Sequence, residues 1–242
     1  MNQIFIETKN RLHPKVTEDG FILKGQTYYR LMNGYIQGFK IYTTDISYSI
    51  RFFQEALCLG IDKNFEGDDI HKFWCGTGPF SIGMLYFDDA SMVESNPFGI
   101  EITPENYVNE AGEILVRSYN KYLFPWFERS STIEKAYEET CLLLDKIGDR
   151  SVSKYSWLLQ MGRWSEAAEF INKRIYELKE YERCNDCKIE YISDLENLFN
   201  AIIENNESFL LDYIHTKEKQ TVKHLGLMRD FNKFNKKILG GA

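Results

Sequence analysis

Few residue patterns in this 242-residue chain carry chemistry. Cys184-Asn185-Asp186-Cys187 is the only Cys-x-x-Cys pair. A structural zinc site needs four ligands, usually two such pairs or one pair with two closely spaced histidines. The nearest histidines, His215 and His224, stand nine residues apart, outside that spacing. A thiol redox motif would open a helix after a strand, whereas this segment lies between charged helical stretches, so it reads as a helix–loop–helix connection. His71 and Cys75 could form a nucleophile–base pair, yet no neighbour orients the histidine and a loop is the simpler reading. Gly76-Thr77-Gly78-Pro79 lacks the Lys-Ser/Thr of a phosphate loop and a third glycine. The expectation is no catalytic constellation, no metal ligand set and no cofactor.

Two groups of residues remain as binding candidates. Tyr28, Arg30 and Arg51 could project from neighbouring strands and hold a carboxylate or phosphate; packing along a sheet surface is their ordinary explanation. Glu66, Asp68, Asp69, Asp88 and Asp89, with Glu94, lie in loop-like sequence, Trp74 among them, and suit a cation or a basic partner, against the plain reading of solvated loop charge.

The elements that must position these groups begin with a sheet. Asn33-Gly34 lies between Thr27–Leu31 and Tyr35–Tyr42, both rich in aromatic and β-branched residues. That arrangement predicts a hairpin closed by a two-residue type I′ loop with positive φ at both positions. Ser47–Leu59 predicts a third strand and Phe80–Phe87 a fourth, which makes an antiparallel meander with one face covered. Residues 4–18 predict a first helix, interrupted at Pro14. Thr103-Pro104-Glu105 opens a helix running to Leu123, where Pro125 stops it before a Trp126-Phe127 corner.

Beyond residue 130 the periodicity is helical throughout. Ser131-x-x-Glu134 has the form of a capping box. Trp157–Ala168 reads as two helices around a glycine turn, and Ile189–Ile214 as a long helical region interrupted near Asn205-Asn206. Leu159, Gly162, Trp164 and Ala167-Ala168 make this hairpin similar to one tetratricopeptide repeat, but arrays of that kind repeat at about 34 residues and no second copy stands at that step. From Thr216 onward, apolar residues recur at helical steps under a lysine-rich face. The expected class is α+β, an antiparallel β-meander flanked by helices and followed by an all-helical C-terminal half. The expected domains are 1–129 and 130–242.

Composition narrows the field. Hydrophobic residues make up 43% and aromatic residues 15%, which excludes a disordered chain. No run approaches the roughly 20 apolar residues of a membrane span. The N-terminus lacks a signal-peptide pattern, and five cysteines do not form a disulfide framework, so a cytoplasmic protein with no membrane partner is expected. The net charge of −7 disfavours nucleic acid as a partner. Charge is uneven: residues 130–215 carry 17 acidic against 10 basic groups, whereas from Thr216 only Glu218 and Asp230 oppose seven Lys/Arg.

Two separated pieces, Gly20-Phe21, Lys24-Gly25, Tyr28-Tyr29-Arg30, Asn33-Gly34, Ile36-Gln37 and then Pro125-Trp126-Phe127-Glu128, resemble the bacterial domain-of-unknown-function family 4304. The resemblance covers about half the chain and departs between Asn64 and Gly78. It implies an α+β fold and a bacterial source and transfers no catalytic residue. The function expected from all this is a non-enzymatic protein-interaction module with a protein partner, in one version the neutralising partner of a bacterial toxin. The alternative is a small-anion or small-molecule binding protein, or an enzyme with a dispersed site on the sheet.

Overall fold

The computed structural model describes residues 3–43, 47–59, 100–101, 113, 116–117, 119–146, 154–181 and 186–239. They form an α+β protein that divides into two compact units. One, the sheet unit, takes the described residues of Met1–Met32, Ile36–Gln54 and Gly78–Ala136. The other, the helical unit, takes those of Asn33–Tyr35, Glu55–Thr77 and Tyr137–Ala242.

The sheet is a five-stranded meander in chain order, β1 (Ile22–Lys24), β2 (Thr27–Leu31), β3 (Tyr35–Thr43), β4 (Ser47–Ala56) and β5 (Ile100–Glu101). β1 and β2 are antiparallel, as are β2 and β3, and β4 and β5. The tight two-residue loop lies one hairpin earlier than the sequence suggests. Lys24 pairs with Thr27, leaving Gly25-Gln26 between them with Gly25 at φ 59°. A left-handed first loop residue is the type II′ pattern, whose twist matches that of the strands. At the Asn33-Gly34 hairpin, pairing begins at Leu31 with Ile36 and only Gly34 (φ 81°) is left-handed. The expected type I′ loop is therefore replaced by a longer one, and the Gly34 carbonyl accepts a hydrogen bond from the Leu57 N–H at 2.9 Å.

Strand alternation assigns the faces. Tyr28 opposite Phe39 and Arg30 opposite Gln37 share one face; Tyr29 opposite Gly38 and Leu31 opposite Ile36 share the other. Tyr28, Gln37 and Phe39 are buried, and so are Tyr29, Leu31 and Ile36. Both faces are covered, where one was expected. The run Phe80–Phe87 lies outside the described residues, as does Thr103-Pro104-Glu105.

Helix α1 (Gln3–Glu18) runs through Pro14 without a break. Leu12 and Val16, four residues apart, are fully buried, and that packing outweighs the backbone bond the proline removes. Near the second proline, Tyr119–Leu123 forms a π-helical turn that continues as α2 (Phe124–Arg129), with Pro125 in its first turn. Proline is tolerated there because the first N–H groups of a helix need no intrahelical acceptor. The helical path therefore passes Pro125 and ends at Ser130. α3 (Ile133–Lys146) is capped one residue later than the Ser131 box predicts: Thr132 Oγ1 accepts from the Lys135 N–H at 3.4 Å.

The helical unit continues with α4 (Lys154–Gln160), α5 (Trp164–Tyr181), α6 (Asp186–Ile203), α7 (Glu207–His224) and α8 (Met228–Leu239). Three connections repeat one hydrogen-bond pattern around a left-handed residue, Gly162, Asn205 or Gly226. At Asn205, for example, the Asn206 N–H reaches Ala201 O and the Asn205 N–H reaches Ile202 O, at 2.9 and 3.1 Å. This Schellman closure satisfies the last carbonyls of one helix as the next begins. Asn206 then caps α7, its side chain accepting from the Phe209 N–H. The four helices from α5 start at Trp164, Asp186, Glu207 and Met228, steps of 22, 21 and 21 residues, so the regularity lies in single helices and a 34-residue comparison misses it.

Candidate functional site

On the Tyr28–Arg30 face of the sheet, several polar side chains of the described residues come together. Tyr28 stacks on Phe39 with ring centroids 4.9 Å apart, and its hydroxyl shares a 3.4 Å hydrogen bond with His13 Nδ1 of α1. Further along α1, Lys15 pairs with Asp19 at 2.8 Å, and Asp19 Oδ2 accepts from the Tyr119 hydroxyl at 2.9 Å. The pairing with Asp19 raises the Lys15 pKa. Arg30 donates to Glu128 Oε1 at 2.8 Å, and its guanidinium lies near the Phe21 and Phe124 rings, 5.7 and 5.8 Å from their centroids. Lys15 lies 5.5 Å from the Phe124 centroid, so this ring meets two cations. Each cation has its own carboxylate, and the group is electrically balanced.

Two glutamines beneath it join the sheet to the helical corner. Gln37 Nε2 donates to Phe127 O at 3.0 Å and Ser130 O at 3.2 Å. Gln54 Nε2 donates to Ala136 O at 2.8 Å and Ser130 Oγ at 3.3 Å. Through Gln37, the sheet supplies a second donor to Phe127 O, which also takes the Ser130 N–H at 3.1 Å, at a helix end where carbonyls run short of intrahelical donors. Two segments distant in sequence therefore meet: Arg30 reaches Glu128 across 98 positions and Gln37 reaches Phe127 across 90. Nothing in local periodicity announces either contact.

Tyr28 and Arg30 thus stand together, one buried and one carboxylate-bound. Arg51 lies on β4, where position 51 has the strand parity of Phe53. Phe53 stands over Gly38 on the Tyr29 face, while Gln54 faces the Gln37 side. Glu66, Asp68, Asp69, Trp74, Asp88, Asp89 and Glu94 lie outside the described residues, as do His71, Cys75 and Cys184; Cys187 falls in the first turn of α6. Among the described residues, no group of three or more His, Cys, Asp or Glu side chains is placed to hold a metal ion.

Buried phenols give this protein a defined alkaline response. Burial pushes the Tyr28 hydroxyl up to about 12. Burial, and then the bond to Asp19, carry Tyr119 further in the same direction. Burial also raises Tyr155 and Tyr213 in the helical unit. A phenol whose folded pKa exceeds its unfolded value near 10 keeps its proton longer when folded. Its contribution to stability is complete below pH 10 and is lost as pH rises through the folded pKa. Urea midpoints measured from pH 7 upward should begin to fall above about 8.5, where an unfolded thiol ionises and the buried Cys58 does not, and fall more steeply above about 10 as the phenols add their part; Tyr28→Phe should shallow only the fall above about 10. A midpoint rising above pH 10 would contradict the burial described here.

In the helical unit, the Cys58 thiol follows β4 in a 3-10 turn, Leu57–Leu59. It is buried, donates to Ser156 O at 3.0 Å, and its pKa is raised chiefly by burial, which leaves it a poor nucleophile at neutral pH. Gln160 Nε2 bonds Glu218 at 2.6 Å, joining α4 to α7. The outer surface differs. Tyr176 on α5 and Ile203 on α6 are 60% and 61% exposed, and Lys179 and Glu196 bridge these same two helices at 2.6 Å. Tyr176 lies three residues from Lys179 and Ile203 seven from Glu196, spacings that keep each pair on one stripe of its helix. Each exposed apolar side chain therefore shares a stripe with one end of the bridge.

These features define an α+β protein with a both-sides-covered antiparallel sheet and a unit of consecutive helical hairpins, in which no described helix is long and apolar enough to cross a membrane. Compared with models of protein families, with curated proteins and with solved structures, the chain has no significant match.

Proposed function

We propose that the chain is a non-enzymatic protein-interaction module. The observation that carries this reading is the exposure of Tyr176 on α5 and Ile203 on α6, two helices joined by the Lys179–Glu196 ion pair, since large apolar side chains left in water suit the centre of a protein interface. The polar groups of the sheet unit support it from the other side, being engaged in internal pairs. A finer version is a bacterial, cytoplasmic partner that neutralises a basic toxin: a net charge of −7 favours fast association with a cationic enzyme. Titrating the full chain against the product of the gene adjacent to its own tests that version, and absence of association there would reject it. The broader reading is tested by cross-linking in the native host with wild-type chain and with Tyr176→Ser/Ile203→Ser. If the same partners are captured at the same level by both, this surface is not the interface.

A second reading, a small-anion site at Arg30 beside Tyr28, without position 51, whose strand parity is that of the opposite face, draws on one geometry: the Arg30 side chain is 20% exposed and its partner Glu128 49%, so a guanidinium already oriented for a carboxylate carries an outer, exchangeable one. A carboxylate or phosphate that raises the melting temperature of the wild type and of Arg51→Ala, and fails to do so in Arg30→Ala, is the required result.

A further inference from the structure

The cations of the helical unit fall into two populations. Arg163, Arg174, Lys179 and Lys217 are each held by a carboxylate. On the last two helices, Lys219, Lys223, Arg229, Lys233 and Lys236 are all exposed, and none forms an ion pair among the described residues. Lys173 on α5 is a further exposed cation with no ion pair among the described residues. The one acid between Lys219 and Lys236, Asp230, is partly buried.

Their placement is ordered. Phe231 is buried while Arg229, Lys233 and Lys236 occupy the opposite side of α8, at steps of four and three residues that form one stripe. At a helical rise of 1.5 Å per residue, the stripe spans about 10 Å. Lys219 and Lys223 form a second pair, four residues apart, on the outward side of α7. The Gly226 turn holds the two helices together: the Leu227 N–H bonds Val222 O at 2.8 Å, and Val222 and Leu227 are both fully buried. The charges are thus presented on an anchored scaffold.

We propose that this outward face of α7 and α8 is a docking surface for an acidic segment of a protein partner. Charge complementarity selects an anion, and three further observations select its class. A membrane-surface helix inserts its apolar face into the bilayer, but the apolar side of α8 is committed to its own unit through Phe231. A nucleic acid extends a continuous phosphate backbone, which beyond these helices would meet the net −7 of residues 130–215. An acidic helix instead places carboxylates at the same three- and four-residue steps as the stripe, within a footprint of about 10 Å. The surface is separate from the Tyr176–Ile203 pair, and its role stands whether or not that pair is an interface.

The experiment uses the full chain at physiological salt with three probes: a short fluorescent polyglutamate peptide, a short DNA duplex, and vesicles containing phosphatidylserine. The expected result is binding of the peptide in preference to the other two, weakening with added salt. It should drop about tenfold or more in Arg229→Glu/Lys233→Glu/Lys236→Glu, while Lys233→Arg binds as wild type. Melting curves accompany each variant; should the triple variant unfold, Lys233→Glu alone is read, with a smaller drop expected. No peptide binding, or binding unchanged by these substitutions, overturns the proposal. Tighter binding of the duplex or of the vesicles also overturns it, assigning the surface to nucleic acid or to a membrane.

Discussion

Phe39→Ala should cost the sheet unit about 3–5 kcal/mol, the usual range for deleting a buried aromatic ring. The upper part of that range is expected because the hole cannot collapse. Phe39 is fully buried, with the rings of Phe21, Tyr28 and Tyr119 centred 5.5, 4.9 and 5.7 Å away and Phe127 at 6.4 Å. Three of those rings are held by something else: Tyr119 by Asp19, Tyr28 by His13, and Phe127 through the Gln37 bond to its carbonyl. Urea denaturation should show a lower midpoint with the slope unchanged. Phe39→Leu, which keeps most of the volume, should lose less than half as much. A loss under about 1 kcal/mol for Phe39→Ala would mean that the cluster relaxes freely, against the close packing of interiors.

Gly38→Val separates two physical effects that predict opposite signs. By intrinsic preference, a valine in mid-strand should stabilise, since glycine weakens a strand and β-branched residues favour one. By packing it should destabilise, because a Cβ at Gly38 would fall within the Phe53 ring. Overpacking typically costs about 1–3 kcal/mol, larger than the propensity gain of up to about 1 kcal/mol, so a net loss is expected. The control is Phe53→Ala. Alone it should destabilise, but combined with Gly38→Val it should show a coupling energy of about 1 kcal/mol or more in the favourable direction. Strict additivity of the two substitutions would mean that residues 38 and 53 do not touch.

Gly38 also marks how far the sequence could be read. Its position in a strand is plain from the alternation of Tyr35–Tyr42, but the ring that fills the space above it lies on the next strand, and pairing register is not a local property. The same limit explains the turns. Gly25 and Gly34 are both credible turn residues in the sequence, and Asn33-Gly34 has the stronger signature; yet the two-residue loop formed at Gly25. The outcome depended on where β1 and β3 found partners on β2. β1 itself, three residues long, is too short for periodicity to reveal. Proline gave the opposite error at both sites: Pro14 and Pro125 read as helix breakers, but a buried stripe carries α1 onward and a π-turn admits Pro125 to α2.

For the candidate site, the residue types were legible and their company was not. Arg30 and Tyr28 stand out in any reading of β2, and their i, i+2 spacing puts them on one face. Glu128, which occupies Arg30, lies 98 positions away. The basic helix at the C-terminus is a clearer case of success, since its charge and apolar period are both local quantities; only its anchoring at Phe231 is a product of the fold.

By itself, the sequence determined the α+β class, the strands from Thr27 into β4 (though not the 3-10 turn that ends β4 at Ala56, short of the expected Leu59), the succession of helices after residue 130, and the contrast between an acidic body and a basic end. These follow from hydrophobic period, turn residues and charge count, which act over a few neighbouring positions. Only the tertiary structure decided which loop is tight, that both sheet faces are buried, that Gln37 and Gln54 reach across to a distant helical corner, and that Arg30 is already paired. Those outcomes depend on which of many chemically similar segments come together, and that choice is made by packing and hydrogen-bond satisfaction across the whole unit.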